Sequence, residues 1–186
     1  KSADWTNPVV KVILNKSSIK TTSDDGVAAI STNGTYGGES YVITNSTLES
    51  KGGPAIYAPS NGKWTITGST LTGVSGIDQR AGSVSIKSST INYNGPTGTV
   101  TGNDGPVAFG VGISVMAHTS YSLLGTFMEV GDNVTFNAGS QAKEQIYVTT
   151  FSYKTSSYEN CFDTPATAAA DIYVSYAGFE IKYTKD

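Results

Sequence analysis

One six-residue pattern, Ile/Leu-x-x-Ser-Ser/Thr-Ile/Leu, starts at Leu14, Ile43, Ile66 and Ile86. The copies read LNKSSI, ITNSTL, ITGSTL and IKSSTI, and the spacings between them are 29, 23 and 20 residues. Recurrence near 20 residues is the mark of a solenoid, in which each repeat is one small unit unable to bury its own apolar face. Uneven spacing follows when the repeated element is constant and the loops between copies differ in length. No 3.6-residue stripe fits Trp64, Ile66 and Leu71 with a polar Gly-Ser-Thr step between them, so each copy predicts strand, polar corner, strand. Ser, Asn and Gly at the corner tolerate unusual backbone angles or hydrogen-bond the local main chain.

A second apolar column follows each copy: Val27–Ile30, Pro54–Tyr57, Ser75–Asp78 and Val111–Val115. Gly26, Gly52-Gly53, Gly73 and Gly110 precede these segments and predict sharp turns. One coil therefore holds two or three short strands. Coils stacked about 4.8 Å apart bury in common what none buries alone. Repetition is an architectural necessity here and carries no chemistry by itself.

Beyond residue 92 the pattern loosens. Residues 92–110, rich in Gly, Pro and Asn, read as a long inserted loop, and 152–170 as a second. Strands are expected again at 111–116, 127–136, 145–151 and 171–183. The expected fold is all-β: a single domain over 1–186, a right-handed parallel β-helix of about six coils, with 1–10 as an N-terminal cap.

Composition removes several function classes. Twelve basic against 15 acidic side chains give a net charge of −3, so no basic stripe is present for nucleic acid. No apolar run approaches the roughly 20 residues of a membrane helix. Cys161 is the sole cysteine, which excludes a disulfide framework and a cysteine metal site, and no cofactor motif occurs. A surface of hydroxyls and amides with few charges points to an extracellular protein, its export signal removed or outside this chain. Asn15, Asn33, Asn45 and Asn133 lie in Asn-x-Ser/Thr sequons, which a chain this rich in Asn, Ser and Thr also acquires by chance.

The run ITNSTLESKGGPAIYAPSNGKWTITGSTLTGVSGIDQRAGSVSIKSSTINYNG resembles the right-handed parallel β-helix repeats of secreted and cell-surface proteins, the pectin-lyase-like superfamily in its broad sense. The later VGISVMAHTSYS and FMEVGDNVTF are similar to the following coils of such repeats in gut-bacterial surface proteins. The resemblance implies the fold. It leaves function open, because that superfamily holds polysaccharide lyases and hydrolases, adhesins, virion spikes and structural modules.

The superfamily's enzymes imply clustered acids on an outer face. Asp78 and Arg80, at i and i+2 of a strand, share a face and are the catalytic candidates. Stacking places Tyr57 and Ser114 beside Asp78, and Pro59 and Met116 beside Arg80. None is the second carboxylate that two-acid glycoside hydrolysis needs, so the pair is read as an exposed ion pair on a solvated face. Asp24, Asp25, Asp104, Glu129 and Asp132 are expected in loops or turns, His118 at a strand end, and Cys161 as an inert thiol. No metal site is expected. Tyrosines suit a binding surface, because a flat ring is ordered at little entropic cost. Tyr57, Tyr93, Tyr153 and Tyr158 are the ligand-binding candidates.

These readings predict a non-enzymatic structural spacer with an adhesive surface for a glycan or a host or cell-surface protein. Alternatives are a polysaccharide lyase or glycoside hydrolase, and a fibre, filament or virion-spike subunit that self-associates through its solenoid ends.

Overall fold

The computed structural model describes residues 10–32, 38–96, 98–102, 105–117, 125–142, 144–152, 157–160 and 171–183, with side chains described except at 98–108, 149–152, 157–160, 179 and 183. Strands come in triplets. The chain forms β1 (Val10–Asn15), β2 (Ser18–Thr21) and β3 (Ile30–Ser31), then β4 (Glu39–Thr44), β5 (Thr47–Ser50) and β6 (Pro54–Ala58). The next turn is β7 (Lys63–Thr67), β8 (Thr70–Gly73) and β9 (Ser75–Gln79). Then come β10 (Gly82–Lys87), β11 (Thr90–Tyr93), an inserted hairpin of β12 (Gly98–Gly102) and β13 (Gly105–Phe109), and β14 (Ile113–Ala117). The remainder is β15 (Thr126–Val130), β16 (Thr135–Ala138), β17 (Ile146–Ser152), β18 (Ser157–Asn160), β19 (Ile172–Tyr176) and β20 (Phe179–Tyr183).

Among the described residues the triplets build three sheets, with the β12–β13 hairpin as a separate two-stranded one, and like sits on like. The first runs β1-β4-β7-β10-β15-β19-β20, the second β2-β5-β8-β11-β16, the third β3-β6-β9-β14-β17-β18. Pairing is parallel except at the hairpin and at the last strands of the first and third sheets. The architecture is a parallel β-solenoid, and no helix occurs among the described residues.

Register explains the repeat. Leu14, Ile43, Ile66, Ile86 and Val130 stack in one inward column of the first sheet. Ile19, Leu48, Leu71, Ile91 and Phe136 form the column of the second, and Ile30, Ile56, Ile77, Ile113 and Ile146 that of the third. Ile43, Ile66, Leu71, Ile77, Ile86 and Ile91 have no exposed surface, so the three columns converge on one core. Trp64 and Tyr41 join it as a stacked pair, ring centroids 3.9 Å apart.

The serine of each copy has a specific task at the corner between the first and second sheets. The backbone N–H of Ser17, Ser46 and Ser69 each donates to the hydroxyl of the serine one turn on, Ser46, Ser69 and Ser89, at 3.1 Å in every case. The hydroxyls of Ser17, Ser46, Ser69 and Ser89 donate in turn to the carbonyl two residues back. Ahead of each serine stands a left-handed residue: Lys16, Asn45, Gly68 and Ser88, with φ of 50°, 49°, 62° and 48°. That residue swings the chain, and the serine ladder satisfies the donors the turn would otherwise bury unpaired. Val134 precedes Thr135 where earlier turns have serine, so the ladder stops at Ser89.

Glycine marks the corner between the second and third sheets for want of space. A Cβ at Gly53 would collide with the Gly26 carbonyl oxygen, and one at Gly73 would lie 2.6 Å from the Gly53 oxygen.

The structure departs from expectation in the insertion. Residues 92–110 are not one structureless loop: Asn92 and Tyr93 finish β11, and β12 and β13 pair as an antiparallel hairpin. Within 152–170, β18 folds back antiparallel on β17. Cys161, His118, Asp104, Asn33 and residues 1–9 of the expected cap lie outside the described residues.

Ser69→Ala should lower stability by about 1–3 kcal/mol, since it strands the buried Ser46 N–H. Ile66→Ala should cost about 2–5 kcal/mol, while Thr65→Ala on the outer face should stay within about 0.5 kcal/mol. Urea midpoints at constant m-value measure all three.

Candidate functional site

Asp78 lies on β9 in register with Tyr57 of β6 and Ser114 of β14, the neighbours the repeat spacing predicts. Arg80 follows the strand, its N–H donating to the Ala58 carbonyl at 2.9 Å. The expectation of an exposed pair is overturned: Asp78 is 1% and Arg80 0% exposed. The two residues point away from the core and are buried nonetheless, on the strand that β13 of the inserted hairpin approaches. Sequence alternation gives the direction of a side chain; it does not report whether that direction is covered.

Inside this layer the Arg80 Nε stands 3.6 Å from the Asp78 Oδ2, and the guanidinium carbon 5.3 Å from the Tyr57 ring centroid. Burial pushes the Asp78 carboxyl up to about 6, against the opposing pull of the Arg80 charge and of hydrogen bonds from Arg80 and Ser114. Between them Gln79 points inward, in the column of Ala58, Val115 and Val148. Its Nε2 donates to the carbonyls of Gly82 and Phe127, both at 3.0 Å, and so ties the third sheet to the next two rungs of the first. A carboxyl that titrates near neutrality could move protons, but a buried ion pair with no carboxylate among its cross-turn neighbours is no open site for a polymer.

The tyrosine candidates separate. Tyr57 is half-buried beneath Arg80. Tyr93 is 2% exposed, packed edge-on to Phe136 at 6.4 Å, and so offers no stacking face; it closes the core, contrary to its expected role. Tyr158 lies on β18 with its side chain outside the described residues, and Tyr153 is outside them altogether. Asn15, Asn45 and Asn133 are exposed at the first corner. Asp24 pairs with Lys51 at 2.7 Å on the surface. Among the described residues no three His, Cys, Asp or Glu side chains cluster as metal ligands, and no helix is long and apolar enough to cross a membrane.

An open groove of about 530 Å³ crosses the outer face of the first sheet, over β10, β15, β19 and β20. No sequence motif marks it. Glu129, expected in a turn, sits on β15 facing solvent, and Glu180 and Lys182 do the same on β20. Phe127 stacks on Tyr173, centroids 4.8 Å apart and planes 4° from parallel, and the Lys182 Nζ stands 5.5 Å from the Tyr173 ring. The Ser85 hydroxyl donates to Glu129 at 2.8 Å. The available signal was alternation in Phe127-Met128-Glu129-Val130 and Tyr173-Val174-Ser175, which sends the first and third residues outward.

No protein-family model matches the chain, and no curated protein or solved structure is significantly similar to it. The fold class, a parallel β-solenoid, rests on the chain's own register.

Two outcomes follow from the buried pair. Arg80→Met leaves the Asp78 carboxylate without its cation and should cost about 3–5 kcal/mol at pH 7, less at pH 5, where the carboxyl takes a proton. The folded carboxyl holds its proton to about pH 6, against 3.8 for the ordinary group. The folded state thus binds more protons in this window, and the stability this site contributes falls as pH rises from about 4 to about 6. The full change is roughly 3 kcal/mol at 1.36 kcal/mol per pH unit, and Asp78→Asn should lack it. Urea titrations of both proteins across this range measure the difference.

Proposed function

We propose that the chain is an exported, non-enzymatic module of the right-handed, pectin-lyase-like β-helix type with about six coils, a rigid spacer whose outer surface adheres to a glycan or to a host or cell-surface protein. One observation carries the reading. The candidate catalytic pair, Asp78 and Arg80, is sealed at 1% and 0% exposure, whereas the open groove presents aromatic rings, hydroxyls and carboxylates on stacked strands. Parallel crossovers are right-handed in about 98% of known cases, which supports the handedness. A surface poor in charge and rich in hydroxyl and amide groups supports an extracellular location.

The fibre-subunit reading has its own support. Among the described residues β1, β2 and β3 are the edge strands of their sheets, and Val10, Ile13 and Val27 beside them are 49%, 61% and 48% exposed. Sheet edges beside exposed apolar side chains favour strand addition. The lyase or hydrolase reading requires substrate to reach Asp78.

Incubation with a panel of neutral and acidic polysaccharides should yield neither new reducing ends nor unsaturated products, while immobilised glycans retain the protein. Turnover abolished by Asp78→Ala would refute the non-enzymatic reading. Light scattering over a concentration series decides assembly, and a strict monomer at high concentration excludes the fibre.

A further inference from the structure

We propose that the groove on the outer face of the first sheet is a binding site for a neutral glycan chain, in preference to an acidic one. This deepens the adhesive reading above and rests on it, naming the surface and the ligand class.

Two columns of side chains run in register along the rod at this face. The first is Ser83, Phe127, Tyr173 and Lys182; the second is Ser85, Glu129, Ser175 and Glu180. The rings of Phe127 and Tyr173 are fixed by their mutual stacking, and Lys182 sets its ammonium against Tyr173. Preorganised rings are what a pyranose needs for its C–H faces, because the side chains lose little freedom when the sugar arrives. The second column supplies the polar half. Glu129 and Glu180 are exposed carboxylates one strand either side of Ser175, and sugar hydroxyls donate to such acceptors. Ser85 orients Glu129 at 2.8 Å, so that acceptor is held in place before any ligand binds.

Charge chooses among glycans. Two carboxylates face one ammonium in the groove, and that ammonium is placed against a ring. A uronic acid chain would bring like charge to Glu129 and Glu180, which opposes its binding. A neutral hexose chain meets acceptors for its hydroxyls and rings for its apolar faces. The groove lies on a different sheet from the buried Asp78–Arg80 pair, so the site stands apart from any chemistry at that pair.

Calorimetric titration of the full chain with cellohexaose, mannohexaose and hexagalacturonate, at low salt, tests this. At least one neutral hexasaccharide should bind at least tenfold more tightly than hexagalacturonate. Phe127→Ala and Tyr173→Ala should each weaken it tenfold or more, with Phe127→Leu as a second variant that keeps an apolar side chain but no flat ring. Glu129→Gln with Glu180→Gln should narrow the gap between neutral and acidic chains, and Thr70→Ala on the second sheet should change nothing. Tighter binding of hexagalacturonate overturns the selectivity. Neutral-chain affinity that survives the aromatic substitutions, in variants with unchanged circular dichroism, overturns this site and leaves the adhesive reading standing. Failure of all three probes in calorimetry, together with failure of immobilised glycans to retain the protein, overturns this site and the glycan half of the adhesive reading, leaving only a protein partner. Dimerisation lost in Phe127→Ala assigns the face to a second copy and overturns the glycan.

Discussion

Side chains of one kind pile on one another through successive turns, and this single arrangement supports every other feature of the molecule. The Ile43–Ile66–Ile86 column works because parallel strands keep equal side chains at equal heights. Once that register holds, corner residues also fall on corner residues. The serine ladder is a consequence: a hydroxyl accepting the N–H of the previous turn is useful only if the previous turn also has its corner there. Hydrophobic burial and hydrogen bonding here reinforce one register, which a slip of one residue would destroy in both. The rungs interact chiefly with their neighbours, so stability is close to a sum of local terms along the rod.

The same register decides which surfaces can act. Outer positions of a solenoid are solvent-facing by default, yet Asp78 and Arg80 are buried there, on the strand that β13 approaches. The first sheet retains its open face over β10 and β15, and there short serines in one rung lie beside large rings in the next, which makes a recess on an otherwise flat wall. The candidate catalytic pair and the accessible groove residues are therefore different sets. The reading of the function turns on that separation.

Much of the fold was legible because the repeat has a mechanical cause. The positions of Leu14, Ile43, Ile66 and Ile86 predicted the inward column, and the spacing placed Tyr57 and Ser114 against Asp78. The fifth corner was harder to see: Val130 to Thr135 has an added residue and Val134 in the serine position, so the pattern is absent although Asn133 holds the left-handed turn at φ 59°. Burial of Asp78 and Tyr93 could not be read locally, since alternation gives only the direction of Asp78 and Tyr93 is packed by Phe136 one rung later. The groove was hidden for a related reason. Phe127 and Tyr173 are 46 positions apart and become one feature only through β15–β19 pairing.

The reversal at Ala177 and Gly178, both at positive φ, sends β20 back along β19, and β18 likewise turns back on β17. Counted in described strands, the three sheets finish at different heights: seven in the first, five in the second, six in the third. Among the described strands the sheets therefore step by about 4.8 Å from one to the next. The first sheet carries its outer face, groove included, two strands past the level at which the second stops among those residues.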